Sequence, residues 1–253
     1  MKKIIVIGSK PNAFIPDGDA IYCANVSIVY YAGQVSRFKQ IVNLITPKAI
    51  EDQVPQNSFS KSSLYRRQWK MMLKTSRARL VILKSSDADN MINDLRHFGY
   101  DAPITLISDQ ERRKLVAKVS GCDDPILSAD FIRLSPKLKV RYAGSATSII
   151  LKRIFDQSKT SNAIFRPSTG VISLLYAIAE NGADCEYVVA GIGLNNRSEY
   201  IHTKLSSAIR SSDTSIPHHV FADRKILRML STKYRITTTE PELASILRQF
   251  TRR

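Results

Sequence analysis

Lys3-Ile4-Ile5-Val6-Ile7-Gly8-Ser9-Lys10-Pro11-Asn12 is the stretch on which the reading of the fold turns. Its first five residues form a near-continuous apolar, β-branched run, the pattern of a strand covered on both faces. A glycine ends the run, where backbone must come close to a ligand or to another segment, and Pro11 and Asn12 follow in a turn. In open α/β sheets a buried strand running into a glycine turn is a nucleotide-binding position. The three glycines of a dinucleotide fingerprint and the Gly-Lys-Ser/Thr ending of a P-loop are both absent, so neither NAD nor ATP is indicated. Taken alone, the stretch also reads as a plain turn.

Working outward, similar short runs recur at Ala20 to Cys23, Gln40 to Leu44, Leu80 to Leu83, Ile104 to Ile107, Tyr187 to Ala190 and Arg235 to Thr238. Helical patterns fall between several of them: Ala88 to Phe98 closing at Gly99, Ala146 to Gln157, Gly170 to Glu180 closing at Asn181-Gly182, and Arg224 to Lys233. Strand and helix in alternation predict βαβ units, a largely parallel sheet flanked by helices, and ligands at the carboxyl ends of the strands. A length of 253 residues suits one such α/β domain over residues 1–253. Two polar or irregular zones, Glu51 to Ser63 and Ser120 to Pro136, interrupt the alternation, and a small lid or insertion is expected within 51–80 or 120–145.

The composition, 43% hydrophobic and 24% charged, is that of an ordinary globular chain and excludes a disordered or fibrous one. The apolar run after Met1-Lys2-Lys3 is too short for a signal-peptide core or a membrane span. Three scattered cysteines, Cys23, Cys122 and Cys185, have neither zinc-ligand spacing nor an even count, so a reducing, cytoplasmic setting is expected. Lys and Arg number 38 against 22 Asp and Glu, a net charge of +16 that attracts phosphate-rich partners. Basic density peaks in Lys61 to Arg79, where Tyr65, Trp69, Met71, Met72 and Leu73 are interleaved, and again at Arg248, Arg252 and Arg253. Peripheral contact with an anionic membrane fits this stretch and the C-terminus, as does a helix packing its apolar stripe on the core. A basic nucleic-acid-binding protein is the rival reading of the same charge.

Two further segments carry candidate chemistry. Phe165-Arg166-Pro167-Ser168-Thr169-Gly170 leads into an amphipathic helix, and its hydroxyls and amides lie where the helix dipole favours a phosphate or carboxylate; an ordinary N-cap is the alternative. Ile216-Pro217-His218-His219-Val220-Phe221-Ala222-Asp223 places two histidines in a loop entering a helix, where an imidazole can act as a general base. No metal ligand set accompanies them, and no serine-hydrolase elbow, kinase set or paired-carboxylate signature occurs.

In this order the segments resemble the bacterial lipooligosaccharide sialyltransferases of glycosyltransferase family 42. The resemblance rests on Met1-Lys2-Lys3 with Gly8-Ser9-Lys10-Pro11-Asn12, on Asp17 to Asp19, on Cys23-Ala24-Asn25 with Tyr30-Tyr31-Ala32-Gly33, on Arg166 to Gly170, and on Ala190-Gly191-Ile192-Gly193. It implies a Rossmann-like domain of the GT-A-variant type and an inverting, metal-independent transfer, without a cofactor, of a sialic acid from a CMP-activated donor to a glycan acceptor hydroxyl. Donor contacts then fall on Gly8, Ser9, Lys10, Pro11, Asn12, Asn25, Asn43, Arg166, Ser168, Thr169, Gly170, Gly191, Gly193 and Asn195. His218, five residues before Asp223, matches the family's base, with His219 as the fallback, and Tyr200 matches a tyrosine assisting phosphate departure. Three positions depart from the family pattern, Ser9, Gly193 and Asn195, and they leave a CMP-Kdo-type donor as the alternative. Residues 51–159 match nothing in the family pattern, and a homo-oligomer stays open.

Overall fold

The computed structural model describes residues 1–47, 59–83, 88–123, 125–133, 136–155, 165–194 and 219–251. Eight strands form one sheet: β1 (Lys3–Ile7), β2 (Ala20–Ala24), β3 (Gln40–Ile45), β4 (Arg79–Leu83), β5 (Ile104–Ile107), β6 (Glu186–Ala190), β7 (Arg235–Thr238) and β8 (Arg248–Gln249). They lie in the order β5-β4-β3-β2-β1-β6-β7-β8, and every pair is parallel. The expected α/β, Rossmann-like sheet is therefore present and is wholly parallel.

Among the described residues the helices are α1 (Ser27–Tyr30), α2 (Ala32–Val35), α3 (Phe59–Ser76), α4 (Ala88–His97), α5 (Asp109–Ser120), α6 (Pro136–Phe155), α7 (Thr169–Asn181) and α8 (Val220–Ser231). Because side chains alternate along a strand, Ile4 and Val6 of β1 enter one core with α5, α7 and α8, whereas Ile5 and Ile7 enter the other with α1 to α4. Both faces of the central strands are thus covered by apolar surface. That is why their sequences read as unbroken hydrophobic runs.

The helices differ from the sequence expectation in several places: α1 and α2 match no expected helical pattern, and α8 begins at Val220, four residues before Arg224. α3 begins at Phe59, inside the segment Glu51 to Ser63 expected as a loop, and α6 begins at Pro136, ten residues before the expected start at Ala146. α5 was not expected, although Ser108 and Glu111 form a full capping box at its start. Its inward residues, Val116 and Val119, are spaced too sparsely among charged ones to give a clear apolar period. The basic stretch Lys61 to Arg79 spans α3, and Trp69 (1% exposed) and Leu73 turn inward against the sheet while Arg66 and Arg67 face out. Among the described side chains of this helix, Trp69 and Leu73 therefore serve the core and Met71 faces out.

β1 lies between β2 and β6, and the chain winds outward through β2 to β5 before returning to β6 on the other side. That reversal makes the carboxyl ends of β1 and β6 the topological switch point of the sheet, where open α/β folds keep their ligand crevice. Here the backbones meet closely. Gly8 N–H donates to the Ala190 carbonyl and Lys10 N–H to the Gly191 carbonyl, both at 2.8 Å. A Cβ on Gly8 would stand 2.2 Å from the Gly191 oxygen, so no side chain fits. Gly8→Ala is expected to destabilise the protein by about 3 kcal/mol or more, since backbone must move to admit it. Gly33→Ala, whose Cβ meets nothing within 4 Å, should stay within about 1 kcal/mol of the parent in the same denaturation experiment.

Candidate functional site

Three segments converge at this switch point. The first is the turn after β1, whose conformation is held from several sides. Tyr31 Oη donates to the Lys10 carbonyl at 2.5 Å and accepts from Ala13 N–H at 2.9 Å. Lys10 Nζ reaches across the crevice to Glu240 at 2.7 Å and Glu242 at 3.0 Å, just beyond β7. Partial burial alone would lower the ammonium's pKa, but the two carboxylate hydrogen bonds outweigh it and the net shift is upward. Lys10 therefore stays charged, with its charge already balanced by two carboxylates.

The second segment is the turn after β6. Gly191 takes φ +65, and its N–H donates to Glu240 Oε1 at 2.8 Å. Glu240 thereby bridges β1, β6 and β7, which leaves the Gly191 amide engaged within the protein. Ile192 follows and packs over Gly170, where an added Cβ would meet its side chain at 3.1 Å and Gly8 Cα at 3.6 Å.

The third is the start of α7. Ser168 is the N-cap, its hydroxyl accepting from Val171 N–H at 3.4 Å. Its own N–H donates to Asp223 Oδ1 at 2.8 Å. The amides of Thr169 and Gly170 take no partner among the described residues, nor does the Arg166 guanidinium. Two donor amides at a helix N-terminus beside an arginine suit a phosphate or carboxylate oxygen.

The histidine segment is tied to this loop. His219, at the N-cap of α8 with φ 63, places its ring Nδ1 2.8 Å from the Arg166 carbonyl. A carbonyl only accepts, so Nδ1 carries the proton and the neutral ring has its basic lone pair on Nε2. Four residues on, the Asp223 carboxyl is buried, and the loss of water pushes its pKa up to about 7 against the opposing hydrogen bonds from Ser168. Aromatic contacts stiffen the arrangement from outside. Tyr142 of α6 packs edge-on against Phe165 at 4.9 Å and against Phe221 at 5.6 Å, the residues flanking Arg166 and following His219.

Of the other expected site residues, Ser9, Pro11, Asn12 and Gly193 belong to the two converging turns, whereas Asn25 and Asn43 lie apart from them. Pro11 and Ser9 sit half-buried in the turn, and Asn12, at φ 58, accepts from Tyr30 Oη at 3.3 Å. Asn25, at φ 54, uses its Oδ1 to hold Thr46 N–H at 3.1 Å, binding the ends of β2 and β3 together. Asn43 is wholly buried inside β3 between Cys23 and Leu80, with neither amide atom paired among the described residues. It is closed to solvent in this conformation. Gly193 is half-buried just beyond Ile192. Asn195, Tyr200 and His218 lie outside the described residues. Sequence reasoning missed Glu240 and Glu242, which follow β7 as ordinary surface-looking acids and whose bonds to Lys10 span more than 200 residues. A cavity of about 1030 Å³ lies elsewhere, over the amino-terminal ends of β1, β6 and β7, and none of these site residues lines it.

Comparisons with protein-family models, with curated proteins and with solved structures find no match to this chain. Among the described residues no group of three or more His, Cys, Asp or Glu is placed to hold a metal ion, and no helix is long and apolar enough to cross a membrane.

Asp223 gives the site a pH signature. Its folded pKa is raised, so the folded state binds the extra proton between about pH 4 and pH 7, and stability falls as pH rises through that window. Asp223→Asn keeps an acceptor for Ser168 N–H while removing the buried charge. It should leave stability nearly unchanged at pH 4 and raise it by about 2–4 kcal/mol at pH 8, as read from denaturation curves at the two values.

Proposed function

We propose that this chain is an inverting glycosyltransferase that moves a sialic acid or a related acidic sugar from a CMP-activated donor to a hydroxyl of a glycan acceptor. The observation that carries the reading is the 2.8 Å hydrogen bond from His219 to the Arg166 carbonyl, which joins the histidine segment to the helix start offering donor amides. The helix start, the glycine turn and, through the Arg166 loop, the His219 ring lie near the sheet's switch point, the place where this fold class binds nucleotides, which supports the reading.

In this reading the donor's phosphate and sugar carboxylate rest on the Thr169 and Gly170 amides, the Ser168 and Thr169 hydroxyls and the Arg166 guanidinium. The acceptor oxygen attacks the anomeric carbon as its proton passes to an imidazole. The bond from that carbon to the phosphate oxygen breaks, and CMP departs with the electron pair. Chemistry of this kind asks the protein chiefly to position two reactants and stabilise a departing phosphate, so hydrogen-bond donors can serve where other transferases use a metal. His218 is the base, and His219, pinned through Nδ1, holds the loop and the cradle in register.

The test has a binding arm and a turnover arm. CMP should bind in preference to UMP, GMP and ADP by calorimetry, and CMP-sialic acid or CMP-Kdo should be consumed in a donor-hydrolysis assay. His218→Ala should lower turnover by about two to four orders of magnitude with CMP affinity nearly unchanged. His219→Ala should weaken CMP binding as well, since it frees the Arg166 loop. Full activity in His218→Ala removes that residue from the base role, and salt-dependent retention on oligonucleotides with no CMP binding replaces the whole reading with a nucleic-acid-binding one.

A further inference from the structure

We infer that the outward face of α6 is a docking surface for an anionic phospholipid membrane. The helix has 20 residues, Pro136–Phe155, and its inward side is settled by Tyr142, Ala146 and Ile149, which pack into a small aromatic cluster with Phe131, Phe165 and Phe221. At 100° per residue the opposite side carries Val140, Gly144, Thr147 and Leu151, and Ala143 and Ile150 continue the stripe along its flank. That stripe faces solvent. Val140 is 75% exposed, Leu151 49% and Ile150 41%, and a Cβ on Gly144 would meet nothing within 4 Å. Ile132, 62% exposed, adds apolar surface in the short 3₁₀ turn that packs beside the helix.

Charge decides which partner this face fits. The segment Pro136–Phe155 contains Lys137, Lys139, Arg141, Lys152 and Arg153 and no acidic residue. Lys137 and Arg141 fall along one border of the stripe. Two copies of this chain meeting through α6 would bring the Lys137 and Arg141 border of one near that of the other, on proteins that each carry +16. An apolar stripe bordered by lysine and arginine instead suits the boundary between headgroups and acyl chains, where the stripe enters and the cations meet lipid phosphates. α3 is the weaker surface despite its basic sequence, because Trp69 and Leu73 are committed to the core and Met71 is its one strongly exposed large apolar residue among those described. Through Tyr142, the inward side of α6 touches the aromatic residues next to Arg166 and His219, so a membrane on its outward side would lie beside the candidate site.

The experiment is flotation of the full-length chain with vesicles of phosphatidylcholine alone or with 30 mol% phosphatidylglycerol, the latter a composition of order typical for anionic membranes at roughly one lipid in three. Binding is expected with the anionic vesicles, with loss at high salt and little binding to neutral ones. The outward double variant Val140→Glu with Leu151→Glu should cut the partition coefficient by about tenfold or more, and Lys137→Glu by about tenfold, both with unchanged thermal unfolding. A reporter gives a second measurement. The chain's single tryptophan, Trp69, is buried, so in Trp69→Phe with Leu151→Trp any emission shift on adding anionic vesicles reports α6 itself, and a blue shift is expected. Wild-type protein that stays with the soluble fraction, a double variant that floats as well as wild type, or a self-association that the double variant abolishes while vesicle binding persists would each overturn the inference.

Discussion

The structure depends on a backbone approach that only a glycine permits. Gly8 stands so near Gly191 that a methyl group would overlap the carbonyl oxygen, and in the space left free β1 and β6 end side by side with their following turns interlocked. From that contact the rest of the carboxyl end follows. Ile192 is set down on Gly170, α7 begins directly above the β1 turn, and Glu240 reaches the Gly191 amide from beyond β7 while holding Lys10 with its other oxygen. The crevice at the switch point is consequently shaped by main chain and by an internal ion cluster rather than by large side chains.

Electrostatics divides this crevice into two parts of different character. On the β7 side, Lys10, Glu240 and Glu242 satisfy one another, so positive charge at the glycine turn is spent inside the protein. On the α7 side, two helix-start amides and the Arg166 guanidinium remain as donors among the described residues, with the Asp223 carboxyl buried behind them. A carboxyl poised near neutrality at the base of an N-terminal cradle couples the loop's order to its protonation. His219 belongs to the same network through the Arg166 carbonyl, which sets its tautomer. Among the described residues the unpartnered donors thus lie at the helix start, whereas the lysine of the first turn is paired.

α6 connects this interior chemistry to the surface. Its buried aromatic residue clamps Phe165 and Phe221, and its far side displays aliphatic groups bordered by cations. The same helix that packs against Phe165 and Phe221 thus also carries the stripe proposed to dock on a membrane. Membrane docking, proposed for this helix, and the proposed transfer reaction rest on different residues and can stand or fall separately.

All seven strand runs read from the sequence correspond to strands, because β-branched continuity is a local property that burial on both faces imposes residue by residue. The start of α7 was legible for a similar reason, since Ser168 caps amides within three positions of itself. α5 escaped notice because charged residues on its outer side blur the period, and β8, two residues long, has too little pattern to read. By itself the sequence determined a largely parallel α/β sheet, a glycine turn after its first strand and a capped helix at Ser168. Only the tertiary structure decided that these meet, that Glu240 claims the Gly191 amide, that Ser168 N–H finds Asp223 55 residues away, and that the aliphatic stripe of α6 faces outward. Each of these is a contact between segments distant in the chain, set by strand order and packing, and no local preference of the residues involved encodes it.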